Sequence, residues 1–104
     1  MSLEDIQKEV DKWTSQFRIQ YWQPHEILAR LMEETGELAR EINHLYGPKK
    51  KKSEEQTKDL GEEMADIIFT LCCLANSKSI NLEESFKKIM AKHYERDNSR
   101  YQKK

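Results

Sequence analysis

The chain has 104 residues, of which 36% are charged, 37% belong to the AVILMFWYC set and 9% are aromatic. That size suits a single domain over 1–104, and the apolar residues fall in periodic clusters that a disordered chain would lack. Lys+Arg is 18 against Asp+Glu 19, a net charge of -1, so the basic footprint of a binder of nucleic acid polymers is absent.

No apolar run approaches the roughly 20 residues that span a bilayer, and the N-terminus has no signal-peptide core, so the expected compartment is the cytoplasm, with no membrane partner. The two cysteines, Cys72 and Cys73, are adjacent and cannot staple separate elements, which removes both a disulfide framework and a thiolate metal site. A domain this small buries only about two-thirds of its unfolded surface, so oligomerisation is expected to complete the core.

The pattern predicts an all-α, four-helix bundle-like protomer with almost no strand signal. The first helix is expected over roughly residues 3–18. Ser2 and Asp5 form a candidate capping box, and Ile6, Val10, Trp13 and Phe17 form one apolar seam. A break follows at 19–23. Pro24 then suits a first helical position for a second helix running to about Leu45, with Gly47 as its cap and Pro48 as its stop. Residues 47–57, with Lys49 to Lys52, read as a loop whose charge either attracts an anionic ligand or, more simply, aids solubility. A third helix is expected from about Lys58 to Ser77. After a turn at 78–80, Asn81 and Glu84 read as the capping box of a fourth, with Leu82, Phe86, Ile89 and His93 along its seam. Residues 92–104 read as a polar tail that frays.

The chemistry lies in the acids of helices two and three. At about 100° per residue, Ile27, Leu31, Leu38, Ile42 and Leu45 fall roughly 20–80° from Glu34, and Glu37 falls about 60° to its other side. Leu60, Ile67, Leu71 and Leu74 stand in the same relation to Glu63, with Asp66 about 60° to its other side. Phe69 and Cys73 lie on the Asp66 side, so helix three is apolar nearly all round. If the two helices pack antiparallel through these stripes, Glu34, Glu37, Glu63 and Asp66 converge. Four converging carboxylates repel and resist desolvation unless protonated or bound to cations. Oxygen-only ligands suit Mg²⁺, or Mn²⁺, and Mg²⁺ commonly keeps sites open for substrate phosphate. A single ExxE or ExxD spacing usually marks no more than a solvated face. It is the matched pair that carries weight.

At these residues the sequence resembles the MazG-like all-α nucleoside triphosphate pyrophosphohydrolases, closest to the short single-domain bacterial type. The family pattern of EExxE, a spacer, then ExxD is met by Glu33-Glu34-Thr35-Gly36-Glu37 and Glu63-Met64-Ala65-Asp66. The resemblance implies Mg²⁺ held by Glu34, Glu37, Glu63 and Asp66. It implies hydrolysis of a nucleoside triphosphate to the monophosphate and pyrophosphate, in nucleotide-pool housekeeping, with Glu33 or Glu37 orienting or deprotonating the water. It further implies a homodimer or homotetramer, and a late basic and Asn/Asp cluster for phosphate or sugar, for which Lys92, Arg96 and Asn98 are the candidates. Lys92 and Arg96 serve equally well as a solvated C-terminal turn.

Tyr21 and Trp22, before Pro24, either stack a base or plug the end of the core. The plug is favoured, and Trp22 is carried as the substrate-binding candidate. Arg30 stands four residues before Glu34, within pairing reach. Glu41 and His44 have the ExxH spacing of di-iron bundles, but no second Glu-x-x-His follows, and His44 reads as surface or helix end. The alternative to an enzyme is a non-catalytic helical oligomerisation or interaction module whose acids make salt bridges between helices.

Overall fold

In the computed structural model, which describes residues 1–48 and 59–104, four α-helices follow one another: α1 (Leu3–Thr14), α2 (Pro24–Tyr46), α3 (Leu60–Ser77) and α4 (Leu82–Lys92). A π-helical turn, His93–Asp97, extends α4 where a fraying tail was expected. No strand occurs among the described residues. The basic run Lys49 to Lys52 and the expected helix start at Lys58 lie outside them.

The helix ends follow their capping chemistry. Ser2 Oγ accepts from the Asp5 N–H at 3.1 Å while Asp5 Oδ2 accepts from the Ser2 N–H at 3.0 Å, the reciprocal box expected from sequence. α1 stops at Thr14, four residues short of expectation. Thr14 Oγ1 donates back to the carbonyls of Val10 and Asp11, and the chain turns away. Pro24 opens α2, and Glu26 Oε1 accepts the Gln23 N–H at 3.0 Å. Gly47 caps α2 with a φ of -86°, outside the left-handed region, so glycine serves here through space: a Cβ would stand 2.7 Å from the Asn43 carbonyl oxygen. Asp59 caps α3, accepting from Gly61 N at 2.6 Å and Glu62 N at 3.3 Å. Asn81 Oδ1 accepts the Glu84 N–H at 3.1 Å at the start of α4.

Between α3 and α4, Ser79 adopts a φ of 55°. Ile80 N donates to Ala75 O at 2.8 Å and Ser79 N to Asn76 O at 3.2 Å, the paired hydrogen bonds of a Schellman ending with serine in the place glycine usually takes. An L side chain in that region costs about 1 kcal/mol. Ser79→Gly is therefore expected to raise the melting temperature by roughly 4–8 °C, read by circular dichroism; an unchanged or lower value would mean the Ser79 side chain makes up for its own strain.

The most extensive packing is between α2 and α3, followed by α1 on α3, with α4 resting on α1. One cavity is walled by Ile27, Arg30 and Glu34 of α2 and by Asp66, Thr70 and Cys73 of α3. Glu34 and Glu37, further along α2, meet Glu63 at the start of α3, while Ile27 near the start of α2 shares the cavity with Thr70 and Cys73 further along α3, so the two helices run antiparallel, as the acid pairs require. The interior differs from the expected seams. On α1 the buried line is Gln7, Val10 and Thr14, while Trp13 and Phe17 are half exposed. On α2 and α3 the expected stripe is only partly covered in the single chain: Ile27 is buried, Leu31, Leu38, Leu60, Ile67 and Leu74 are half-buried, and Ile42, Leu45 and Leu71 are exposed, as are Leu28, Met32, Met64 and Ile68 further round the two helices.

Candidate active site

α2 presents Glu34 and Glu37 one turn apart, and α3 brings Glu63 against them. One carboxylate oxygen of each lies within 4.8 Å of the others. Glu34 is 3% exposed and Glu63 2%, whereas the neighbouring Met32 is 63% exposed. Burying carboxylates while leaving apolar side chains outside inverts the usual order. Glu34 Oε1 accepts from Arg30 Nε at 2.8 Å, the pairing anticipated from the i, i+4 spacing. Its Oε2 is buried with no hydrogen-bond partner among the described residues.

Burial is the main force pushing the Glu34 carboxyl above the ordinary range. Arg30 opposes it, and the charges of Glu37, Asp66 and Glu63 reinforce it. Asp66 is exposed, lies one turn beyond Glu63 on the cavity wall, and is close enough for its charge to act on Glu34. The acids of both helices therefore meet: Glu34, Glu37 and Glu63 in one cluster, with Asp66 at its cavity side.

A buried carboxylate oxygen with no donor, among other carboxylate oxygens, lacks a positive partner. The donor set is all oxygen, which fits a hard divalent cation. Three of the four expected ligands are close enough to share one ion.

The cavity beside the cluster has a volume of about 470 Å³. Its apolar side is aromatic. Trp13 packs edge-on against Phe17, with centroids 4.9 Å apart, and against Phe69 at 6.0 Å. Trp22 also lines it and is half exposed, so it stands at the cavity rather than plugging the core. The Cys73 thiol faces the same space and burial pushes it up to about 11, which leaves it an unreactive thiol at neutral pH. The base of the cavity carries Thr14 and Thr70, whose hydroxyls donate to the backbone of their own helices.

A hydrogen-bonded knot holds the break after α1 in place, and the sequence offers little sign of it. Tyr21 Oη donates to Asp11 Oδ1 at 2.5 Å and accepts from Asn76 Nδ2 at 3.0 Å. Gln20 Nε2 donates to Asp11 Oδ1 at 2.9 Å. Gln7 Nε2 donates to Asn76 Oδ1 at 2.9 Å and to the Ile80 carbonyl at 2.8 Å, and Gln7 Oε1 accepts the Leu82 N–H at 2.8 Å. Burial, with the neighbouring Asp11, pushes the Tyr21 phenol above its usual value and keeps its proton in place. One signal was present: Gln7 stands one turn before Val10 on the face that packs inward.

The remaining candidates lie elsewhere. Glu33 is exposed on α2, with its Oε2 3.9 Å from Arg30 Nη1. Lys92 ends α4, Arg96 lies in the π-helical turn and Asn98 follows it; all three are exposed and none lines the cavity of its own chain. His44, read as surface or helix end, lies in the last turn of α2, half-buried with Nδ1 enclosed.

Residues 22–101 match the MazG nucleotide pyrophosphohydrolase domain. The Bacillus subtilis (strain 168) protein YpjD is 48% identical over 103 residues, covering 99% of this chain and 93% of its own. YvdC of the same organism is 33% identical over 104 residues, covering 90% of this chain and 94% of its own. The crystal structure of Bacillus subtilis YpjD, described as a candidate pyrophosphatase, is similar at a TM-score of 0.80 and 50% identity, over 88% of this chain and 94% of that one. The Bacillus-conserved MazG protein, described as a nucleotide pyrophosphohydrolase, is similar at a TM-score of 0.78 and 43% identity, over 92% and 93%. With both acid pairs meeting between antiparallel helices and most of the chain inside the matched domain, the protein belongs to the MazG nucleotide pyrophosphohydrolase family and is an enzyme of that class.

Proposed function

We propose that residues 1–104 form one catalytic domain that hydrolyses nucleoside triphosphates to the monophosphate and pyrophosphate, with Mg²⁺ (or Mn²⁺) held by Glu34, Glu37, Glu63 and Asp66. The observation that carries this reading is the Glu34 carboxylate: buried, one oxygen without a donor, and two more acids beside it. When bound, the cation would supply charge neutralisation and polarisation at the phosphates. The chain's own residues do the rest. The aromatic wall of Trp13, Trp22 and Phe69 takes the base by stacking, worth about 1–3 kcal/mol per contact. The acids at the other end of the cavity would hold the cation that draws the phosphates there, so that the α-phosphorus faces the cluster. Water forms a bond to that phosphorus, the bond to the bridging oxygen breaks, and pyrophosphate leaves. Glu37, exposed within the cluster, or Glu33, the residue before Glu34, would orient or deprotonate that water.

The partly open apolar stripe on α2, α3 and α4 favours a second copy of the chain as its cover, giving a homodimer or a paired tetramer. A substrate role for Lys92, Arg96 and Asn98 calls for a second copy whose cavity they face. Among the described residues no helix is long and apolar enough to cross a membrane, in keeping with a housekeeping enzyme of the cytoplasm.

The test is pyrophosphate release from a nucleotide panel with and without Mg²⁺, together with a thermal-shift titration using Mg²⁺ and a non-hydrolysable triphosphate. Metal is expected to raise the melting temperature, and the analogue to raise it further. At a concentration one hundred times the Kd the stabilisation is about 2.7 kcal/mol. No metal shift and no turnover of any nucleotide would favour the interaction-module alternative instead.

A further inference from the structure

We propose that Arg30 is a positioning residue for the metal: it holds one oxygen of Glu34 so that the other faces Glu37 and Glu63 and meets the cation alone. This inference rests on the metal-site reading above. Arg30 lies one helical turn before Glu34 on α2, and its Nε is 2.8 Å from Glu34 Oε1. That bond occupies one edge of the carboxylate. The other oxygen, Oε2, is buried and has no partner among the described residues, while Glu37 and Glu63 each bring an oxygen within 4.8 Å of Glu34. The division of labour follows from the geometry of the guanidinium. It is planar, its N–H directions are fixed, and Nε–H can point at only one oxygen. With Oε1 holding that bond, rotation of the carboxylate is opposed, and Oε2 is the oxygen left with both lone pairs toward the ion. Nη1 lies 3.9 Å from Glu33 Oε2, an exposed contact that adds little, so the bond to Glu34 is the one that orients the pair.

Simple electrostatics argues the opposite. A cation beside a metal site repels the metal, so removing Arg30 should tighten binding if charge alone mattered. A hydrogen-bond partner of a metal ligand instead typically contributes 10–100-fold to affinity by orienting it. The two accounts differ in sign, which makes the question decidable without any turnover measurement.

The experiment is a Mn²⁺ titration of the metal-stripped full chain, with free Mn²⁺ read by electron paramagnetic resonance, for the wild type, Arg30→Met, Arg30→Lys and Glu63→Gln. Arg30→Met is expected to bind Mn²⁺ roughly 10–100-fold more weakly. Arg30→Lys keeps the charge but loses the fixed Nε–H direction, and should recover only part of that loss. Equal or tighter binding by Arg30→Met overturns the proposal. Should Arg30→Met not fold, as judged by circular dichroism, Arg30→Lys decides: several-fold weaker binding supports the positioning role, and wild-type affinity overturns it. Absence of Mn²⁺ binding in the wild type, or binding undiminished in Glu63→Gln, sinks the metal-site reading itself and this inference with it.

Discussion

Glu34→Gln is expected to abolish pyrophosphate release while raising the melting temperature of the metal-free protein. The loss of activity follows from the proposed role: removing one carboxylate from a shared metal site costs several kcal/mol at the transition state, on the order of 10³-fold in rate. The gain in stability follows from burial. Glu34 is 3% exposed and sits among like charges, and Gln has the same shape with an oxygen that still accepts from Arg30 Nε. Replacing a poorly compensated buried charge by a neutral isostere stabilises by on the order of 1 kcal/mol, or roughly 4–8 °C in a chain of this size.

The pH dependence has a definite sign. The folded-state carboxyl is raised above its ordinary 4.5, so the folded protein binds more protons than the unfolded chain just above that value. The protonated carboxyl thus contributes stability that is present at acid pH and is lost as pH rises through the raised value. The advantage of Glu34→Gln over wild type should accordingly be small at pH 4 and larger at pH 7.5, both in EDTA. A variant that loses stability along with activity would assign Glu34 a structural role.

Gln7→Ala is expected to lower stability by about 3 kcal/mol, because it removes three side-chain hydrogen bonds at about 1 kcal/mol each from a part-buried site. The Ile80 carbonyl and the Leu82 N–H lose their partner at the same time. The melting temperature should fall by about 10 °C or more, measured by calorimetry. The effect should reach the cavity as well, since Asn76 links Gln7 to Tyr21, the residue before Trp22. KM is expected to rise more than kcat falls at a temperature where the variant is folded. A variant as stable as wild type would show that water replaces the amide without loss.

The acids were legible in the sequence because their information is local. Glu34 and Glu63 each border an apolar stripe on a long helix, and helical geometry alone places them on matching faces. Arg30 was legible for the same reason. Phe69 and Cys73 were rightly set on the Asp66 side, and all three line the cavity. On α1 apolar character marks burial only in part: Val10 is buried and Ile6 half-buried along the expected seam, but its far end is not. Trp13 and Phe17 line an open cavity, whereas Gln7 and Thr14 go inside. Thr14 is satisfied by its own helix, but Gln7 depends on Asn76, Ile80 and Leu82, and no pattern within α1 encodes those partners. The partly covered stripe on α2 and α3 has the same origin: hydrophobic periodicity shows which face seeks cover and not whether the cover comes from the same chain.

The ties made by Gln7 span 69 to 75 positions, so the first helix reaches these partners only when α3 and the start of α4 have been made. On the ribosome, a nascent chain released as far as α3 already carries every proposed cation ligand. It also carries the aromatic wall and Asn76, which ties Tyr21, and lacks only the Ile80 and Leu82 partners of Gln7. Both ends of the pocket are thus present before the bonds that fasten the first helix to the start of α4.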